Sequence, residues 1–186
     1  MEASTLTWSR PAPGELAVLQ RFVNTADLES RTDELADPER LAAWMREAGL
    51  ANEDAQFDEA DRERLIAFRE ALRRLLLSHN GGELAPGTVA TLEAVAREAH
   101  VQVTFGPGGE ARLAPALGGA DGVLGRLLAI IARAEAEGTW SRLKACTSDT
   151  CMWAFYDRSR NRSRTWCTMT ICGNRAKARS YRARQR

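Results

Sequence analysis

Cys146-Thr147-Ser148-Asp149-Thr150-Cys151 and, after fifteen intervening residues, Cys167-Thr168-Met169-Thr170-Ile171-Cys172 hold all four cysteines of this 186-residue chain. Two Cys-x4-Cys pairs separated by a hairpin-sized insert can bring four sulfurs to the corners of one tetrahedron. Zinc suits that arrangement, because its filled d shell imposes no competing geometry. An iron–sulfur cluster, a redox dithiol pair or four free buried cysteines are the alternatives for the same thiols. A catalytic zinc is disfavoured, since four thiolates fill the coordination sphere. His79 and His100 lie far from the cluster in sequence and read as ordinary surface or helix-end histidines.

The insert and the tail carry the next layer of information. Met152 to Tyr156 is strand-like, Asp157 to Ser163 is turn-rich, and Arg164-Thr165-Trp166-Cys167 is expected to return as a second strand. Cys172 falls at the expected start of a helix, where amide groups favour a thiolate. If residues 158–164 are extended, Arg158, Arg160, Arg162 and Arg164 share one side. On the following helix, Arg175, Arg179, Arg182 and Arg186 form a stripe, with Lys177, Tyr181 and Arg184 on the other side. No acidic residue occurs from 158 to 186 to balance them by i,i+4 pairing. Cations without internal partners on a small scaffold point to an external polyanion, so these ten basic residues are the candidate nucleic-acid contacts. Trp153, Tyr156 and Trp166 are read as the core of the module rather than as stacking platforms.

Outward from this segment the charge changes sign. Residues 139–186 have 12 Arg and Lys against Asp149 and Asp157, a formal +10. Residues 1–138 have 14 Arg and no Lys against 23 Asp and Glu, a formal −9. The chain total of +1 thus conceals an acidic body joined to a basic module, with the boundary placed at 138/139. No apolar run reaches the ~18–20 residues of a membrane span. Met1-Glu2-Ala3-Ser4-Thr5 shows no secretory pattern, so a cytoplasmic location and no membrane partner are expected.

The body reads mainly as helices. Leu16, Leu19, Phe22, Val23 and Ala26 recur at helical spacing, and Asp37-Pro38 marks a helix carrying Leu41, Trp44 and Met45 that ends near Gly49. Asp58 to Ser78 carries the stripe Leu65, Phe68, Leu72, Leu75 and Leu76, with an acidic start and with Arg73 and Arg74 suiting the dipole at its end. A further helix from about Gly87 to Ala99 bears Val89, Leu92 and Val95. Val101, Val103 and Phe105 then alternate with polar residues and lead through Gly106-Pro107-Gly108-Gly109 to a second strand at Ala111-Arg112-Leu113. Asp121 is expected to cap the last body helix, in which Leu124, Leu127, Leu128 and Ile131 face inward. The fold class is α+β: a mainly helical N-terminal domain with a small β-hairpin, then a small C-terminal four-cysteine zinc finger of β-hairpin plus basic helix. Asn24-Thr25 interrupts an apolar face, and a hydrogen bond that fixes packing is favoured there over a ligand site.

Cys167-Thr168-Met169 followed by Cys172-Gly173-Asn174-Arg175 resembles the motif that names the CGNR zinc fingers. Cys146, Cys151, Phe155, Asp157, Arg164 and Trp166 are similar to that family as well, over about residues 140–185. The resemblance implies that Cys146, Cys151, Cys167 and Cys172 bind Zn2+. The N-terminal region, centred on Phe22-Val23-Asn24-Thr25, is similar to the ABATE domain usually fused to this finger. That pairing is regarded as a stress-induced transcriptional regulator, and it makes DNA the expected polyanion. No Gly-rich phosphate loop, Gly-x-Ser-x-Gly or His-rich metal motif is present, so no enzyme activity is expected. The alternative is an adaptor whose basic finger grips an acidic protein. One small finger reads little sequence alone, which argues for a homodimer, and the body would receive a small-molecule effector or mediate assembly.

Overall fold

The computed structural model describes residues 10–185. Its elements run α1 (Leu16–Val23), β1 (Ala26–Asp27), β2 (Thr32–Asp33), α2 (Pro38–Glu47), α3 (Glu59–Ser78), α4 (Thr88–Glu98), β3 (Val101–Phe105), β4 (Ala111–Pro115) and α5 (Gly119–Ala136). After a 3-10 turn at Trp140–Arg142 come β5 (Leu143–Ala145), β6 (Ala154–Tyr156), a π-helical turn at Met169–Gly173 and α6 (Asn174–Arg184). Strands pair only as neighbours, in three antiparallel ribbons. This is the α+β arrangement expected. Met1 to Thr5 and Arg186 lie outside the described residues.

The helix ends follow the local chemistry. The Asp37 carboxylate accepts the Arg40 amide at 2.9 Å, with Pro38 in the first turn of α2. At α3 the Asp58 side chain accepts from the Asp61 amide at 2.8 Å, and Asp61 reciprocates to the Asp58 amide at 3.3 Å. Gly118 rather than Asp121 precedes α5; Asp121 instead pairs with Arg64 at 2.7 Å. Val89 is 48% exposed, since α4 turns Thr88 and Val95 inward and carries Val89 away from that side.

Helix α1 stops three residues short of Ala26. Thr25 Oγ1 turns back to the Phe22 carbonyl at 2.8 Å, and Asn24 spends both ends of its amide on Ala154. Its Oδ1 accepts the Ala154 amide at 2.7 Å and its Nδ2 donates to the Ala154 carbonyl at 2.9 Å. The polar pair therefore fixes packing, as favoured from the sequence, and what it fixes is the strand that leads away from the metal cysteines.

One hydrophobic cluster crosses residue 138. Leu143, Ala145, Ala154 and Tyr156 of the β5–β6 ribbon belong with Phe22, Leu72, Leu76 and Leu127. Polar groups seal the joint. Arg73, 1% exposed, donates to the Val23 carbonyl at 2.6 Å, the Ala26 carbonyl at 3.2 Å and the Met152 carbonyl at 3.2 Å. It is thus an internal strut, not a surface charge complementing the end of α3. The His79 ring contacts the Leu143 carbonyl at 2.7 Å, and Asn80 donates to the Ala145 carbonyl at 2.6 Å. Burial lowers the His79 pKa, so the ring docks in its neutral form.

Truncating Arg73 takes its donors from three carbonyls and leaves Glu70 paired with Arg69 alone. Arg73→Met should destabilise the chain by about 2–4 kcal/mol. Urea unfolding of the zinc-loaded protein measures this; a loss below ~1 kcal/mol would remove Arg73 from the joint.

Candidate metal centre and nucleic-acid face

The four sulfurs converge at the far side of the β5–β6 ribbon. Cys146 follows β5 directly, and its amide donates to the Trp153 carbonyl at 3.0 Å across the loop. A tight turn brings Cys151 back: its amide and that of Met152 both donate to the Ser148 carbonyl, each at 2.9 Å. Cys167 and Cys172 come from the π-helical turn and the residues before it, where the Gly173 amide donates to the Thr168 carbonyl at 3.1 Å. A Cβ at Gly173 would fall 2.4 Å from the Met169 sulfur, so glycine lets that side chain lie across the turn.

The four Sγ atoms lie within 4.8 Å of one another, with Cys151–Cys167 at 3.6 Å and Cys167–Cys172 at 3.7 Å. Tetrahedral zinc with ~2.3 Å bonds requires sulfurs ~3.8 Å apart, so the cage has the size that Zn2+ needs. Without a cation the sulfurs cannot all ionise. Hydrogen bonds from Cys151 and Cys167 pull the Cys146 thiol down, while the bond to Cys146 pushes Cys151 up. Cys167 is raised by its contacts with Cys146 and Cys151, and Cys172 by burial. A dication at the centre offsets this mutual repulsion. Phe155, Trp153, Trp166 and Ile171 wrap the sulfurs in a small apolar cluster.

The expected second strand at 164–167 does not form. β6 pairs with β5 instead, in the register Leu143↔Tyr156 and Ala145↔Ala154, because those two strands lie on the body's core. Residues 157–164 form a compact loop around Asp157, which is 0% exposed. Its carboxylate accepts from Lys144 Nζ at 2.9 Å, the Ser159 amide at 2.9 Å, Ser159 Oγ at 2.6 Å and the Arg164 amide at 2.9 Å. Burial alone would raise its pKa; the Ser159 and Lys144 bonds outweigh burial and bring it to about 2. Lys144 Nζ also donates to the Arg162 carbonyl at 2.5 Å, so this buried ion pair holds both ends of the loop. Lys144 was indistinguishable in the sequence from the module's other cations.

The loop separates arginines that an extended strand would align. Arg164 faces inward, its guanidinium 5.0 Å from the Phe155 ring and bonded to the Trp166 and Cys167 carbonyls. It braces the metal cage and leaves the contacting set. Arg158 donates to the Pro11 carbonyl at 2.7 Å, and Arg162 to Ser141 Oγ at 3.2 Å; both remain exposed, as does Arg160. Beyond the cage, α6 has no buried residue. Arg175 pairs with Glu29 at 2.7 Å, a contact from the β1–β2 loop that the sequence did not disclose. Lys177, Arg179, Arg182 and Arg184 are exposed. Among the described residues after Asp157, Arg175 is the only cation in an ion pair.

A helical body carrying a four-thiolate metal cage and a basic helix defines a zinc-finger protein with an appended α-domain. The family comparisons agree: residues 142–185 match the CGNR zinc finger, and residues 16–137 match ABATE, described as "Putative stress-induced transcription regulator". The second match spans more than half of the chain, and the protein belongs to the ABATE family. No curated protein matches its sequence. Among the described residues no helix is long and apolar enough to cross a membrane.

Two outcomes follow from this geometry. Metal analysis should find about one zinc per chain with sulfur-only coordination at ~2.3 Å, and Cys167→Ser should lower zinc affinity sharply. An iron–sulfur absorption spectrum would contradict this. For Asp157, the stabilising contribution is complete above the ordinary carboxyl pKa and is lost only as pH falls through about 2. Asp157→Asn, which leaves Lys144 buried without its anion, should therefore cost about 3–5 kcal/mol, equally at pH 6 and pH 8. Urea unfolding at the two pH values checks both magnitude and flatness.

Proposed function

We propose that this chain is a non-catalytic transcription regulator whose zinc-bearing part contacts duplex DNA through loop 158–162 and α6, while the acidic body governs that contact. The distribution of charge carries the reading. A helix with five cations, no anions and no buried face gains nothing from the protein interior. Its Arg175 and Arg179 repel at i,i+4 spacing, which a polyanion relieves. A major groove ~12 Å wide admits a helix of this slim composition. Lys177, Arg179, Arg182 and Arg184, with Arg158, Arg160 and Arg162 on the adjoining loop, are the proposed contacts; Arg186 continues the stripe in sequence.

Glu29 gives the body a direct hold on this surface. By pairing with Arg175 it withholds the first cation of the stripe, and nucleic acid must compete for it. Such an exposed pair is weak, worth ~0.2–1 kcal/mol, so it tunes binding rather than blocking it.

Fluorescence anisotropy of the zinc-loaded full chain with duplex DNA tests the proposal. Lys177→Ala should weaken all duplexes alike and lower the salt slope by about one, whereas Arg179→Ala should relax preference at one base position. Glu29→Gln should strengthen binding about two- to fivefold at low salt. Absence of duplex binding at low salt, with zinc in place, would transfer the basic face to an acidic protein partner.

A further inference from the structure

On the side of the body away from the sulfurs, β4, α5, the end of α2 and the start of α1 enclose a groove of about 550 Å³. Gly125, beneath Pro115, sets how closely β4 approaches α5. A Cβ there would fall 2.8 Å from the Pro115 Cβ and 3.2 Å from the Ala99 carbonyl oxygen, so only glycine lets β4 rest on α5. From that point the groove follows α5 to Ala136, about 16 Å of helix. Its surface is apolar and shallow-sided: Ala129, Ile130 and Ala132 on α5, Val18 on α1 and Leu113 on β4. Val103 pairs with Leu113 and Phe105 with Ala111, which puts both on the face of the hairpin that Leu113 occupies. Val103 is 58% exposed, Phe105 73% and Leu113 43%, so the protein leaves this face uncovered.

The charges around the groove do not cancel. Arg133 is paired with Glu15, and Arg112 with Glu110. Arg126, the remaining charged residue of the lining, has no carboxylate within ion-pair distance among the described residues. Its Nη1 donates to the Gly49 carbonyl at 2.9 Å, which steadies the guanidinium and leaves further N–H donors for another acceptor. An apolar trough with one steadied, unneutralised guanidinium favours a single anion with an apolar body, bound through that local charge against the repulsion of a body of formal charge −9.

We infer that this groove binds a small amphipathic carboxylate, its head on Arg126 and its hydrocarbon along α5 against Leu113. This names a ligand class through which the body would govern the DNA contact; it rests on that reading only for the consequence at DNA. Arg126 offers the planar two-donor geometry that a carboxylate matches. Each methylene laid into the trough should strengthen binding by up to about fourfold, until the groove is filled.

Calorimetric titration of the zinc-loaded full chain with sodium decanoate, below its micelle concentration, tests the inference, with sodium acetate and decanol as controls. Decanoate should bind and raise the melting temperature, with decanol and acetate each weaker by about tenfold or more. Arg126→Met should reduce decanoate to the level of decanol. Ala132→Trp, at an exposed position, should fill the trough and abolish binding while the melting temperature of the free protein holds. No decanoate binding, equal binding by Arg126→Met, or binding that survives Ala132→Trp overturns the site. So does a dimer that dissociates on Phe105→Glu, since a second copy would then cover this face. Decanoate that binds as described yet leaves duplex affinity unchanged supports the groove and removes the sensory role from the body.

Discussion

A ribbon of two three-residue strands has too little apolar face to fold by itself, and the β5–β6 ribbon acquires the missing surface from the helices beneath it. Leu143, Ala145, Ala154 and Tyr156 enter the same core as Phe22 and Leu72. The ribbon's main-chain groups find partners on the body: Asn24 for Ala154, His79 for Leu143, Asn80 for Ala145. Cys146 and Cys151 flank this supported ribbon, so the body's packing sets where two of the four sulfurs stand. Zinc then gathers the second pair onto the first. In this arrangement metal, ribbon and helical core form one mechanical unit, and α6 projects from it.

Much of this was legible in the sequence because local chemistry governs it. Asp37-Pro38 and Asp58 start their helices as their side chains require, and Val101-x-Val103-x-Phe105 pairs with Ala111–Pro115 as alternation implies. The four cysteines were readable as a metal cluster from their spacing, and the resemblance to the CGNR fingers pointed to zinc. What could not be read was long-range. Asn24 and Ala154 are 130 residues apart, and no periodicity encodes their double hydrogen bond. The boundary that is plain in charge is crossed in packing, where the β5–β6 ribbon joins the body's core while the sulfurs keep a small cluster of their own.

The arginines show the same limit more sharply. Arg73, Arg164 and Arg179 look alike in a sequence, yet the first joins helix to ribbon, the second braces the cage and the third faces solvent. Guanidinium groups serve all three tasks, because a planar set of five donors satisfies buried carbonyls as well as it meets external anions. Period-two reasoning placed Arg158 to Arg164 on one side of a strand; the Asp157–Lys144 pair folds that stretch into a loop and divides the set. The surface left free for a partner is correspondingly smaller than the count of basic residues suggests, and it centres on α6.

The metal centre and the helical body share one joint, on which the placing of α6 depends. Amide hydrogen exchange on the full chain, with zinc bound and after chelation, tests it most directly. Exchange protection at the end of α1 and along the last turns of α3, around Val23, Arg73 and His79, should fall together with that of β5 and β6 when zinc is removed. Loss of protection confined to residues 146–185, with α1 and α3 unchanged, would contradict the account and show that the body stands without the ribbon.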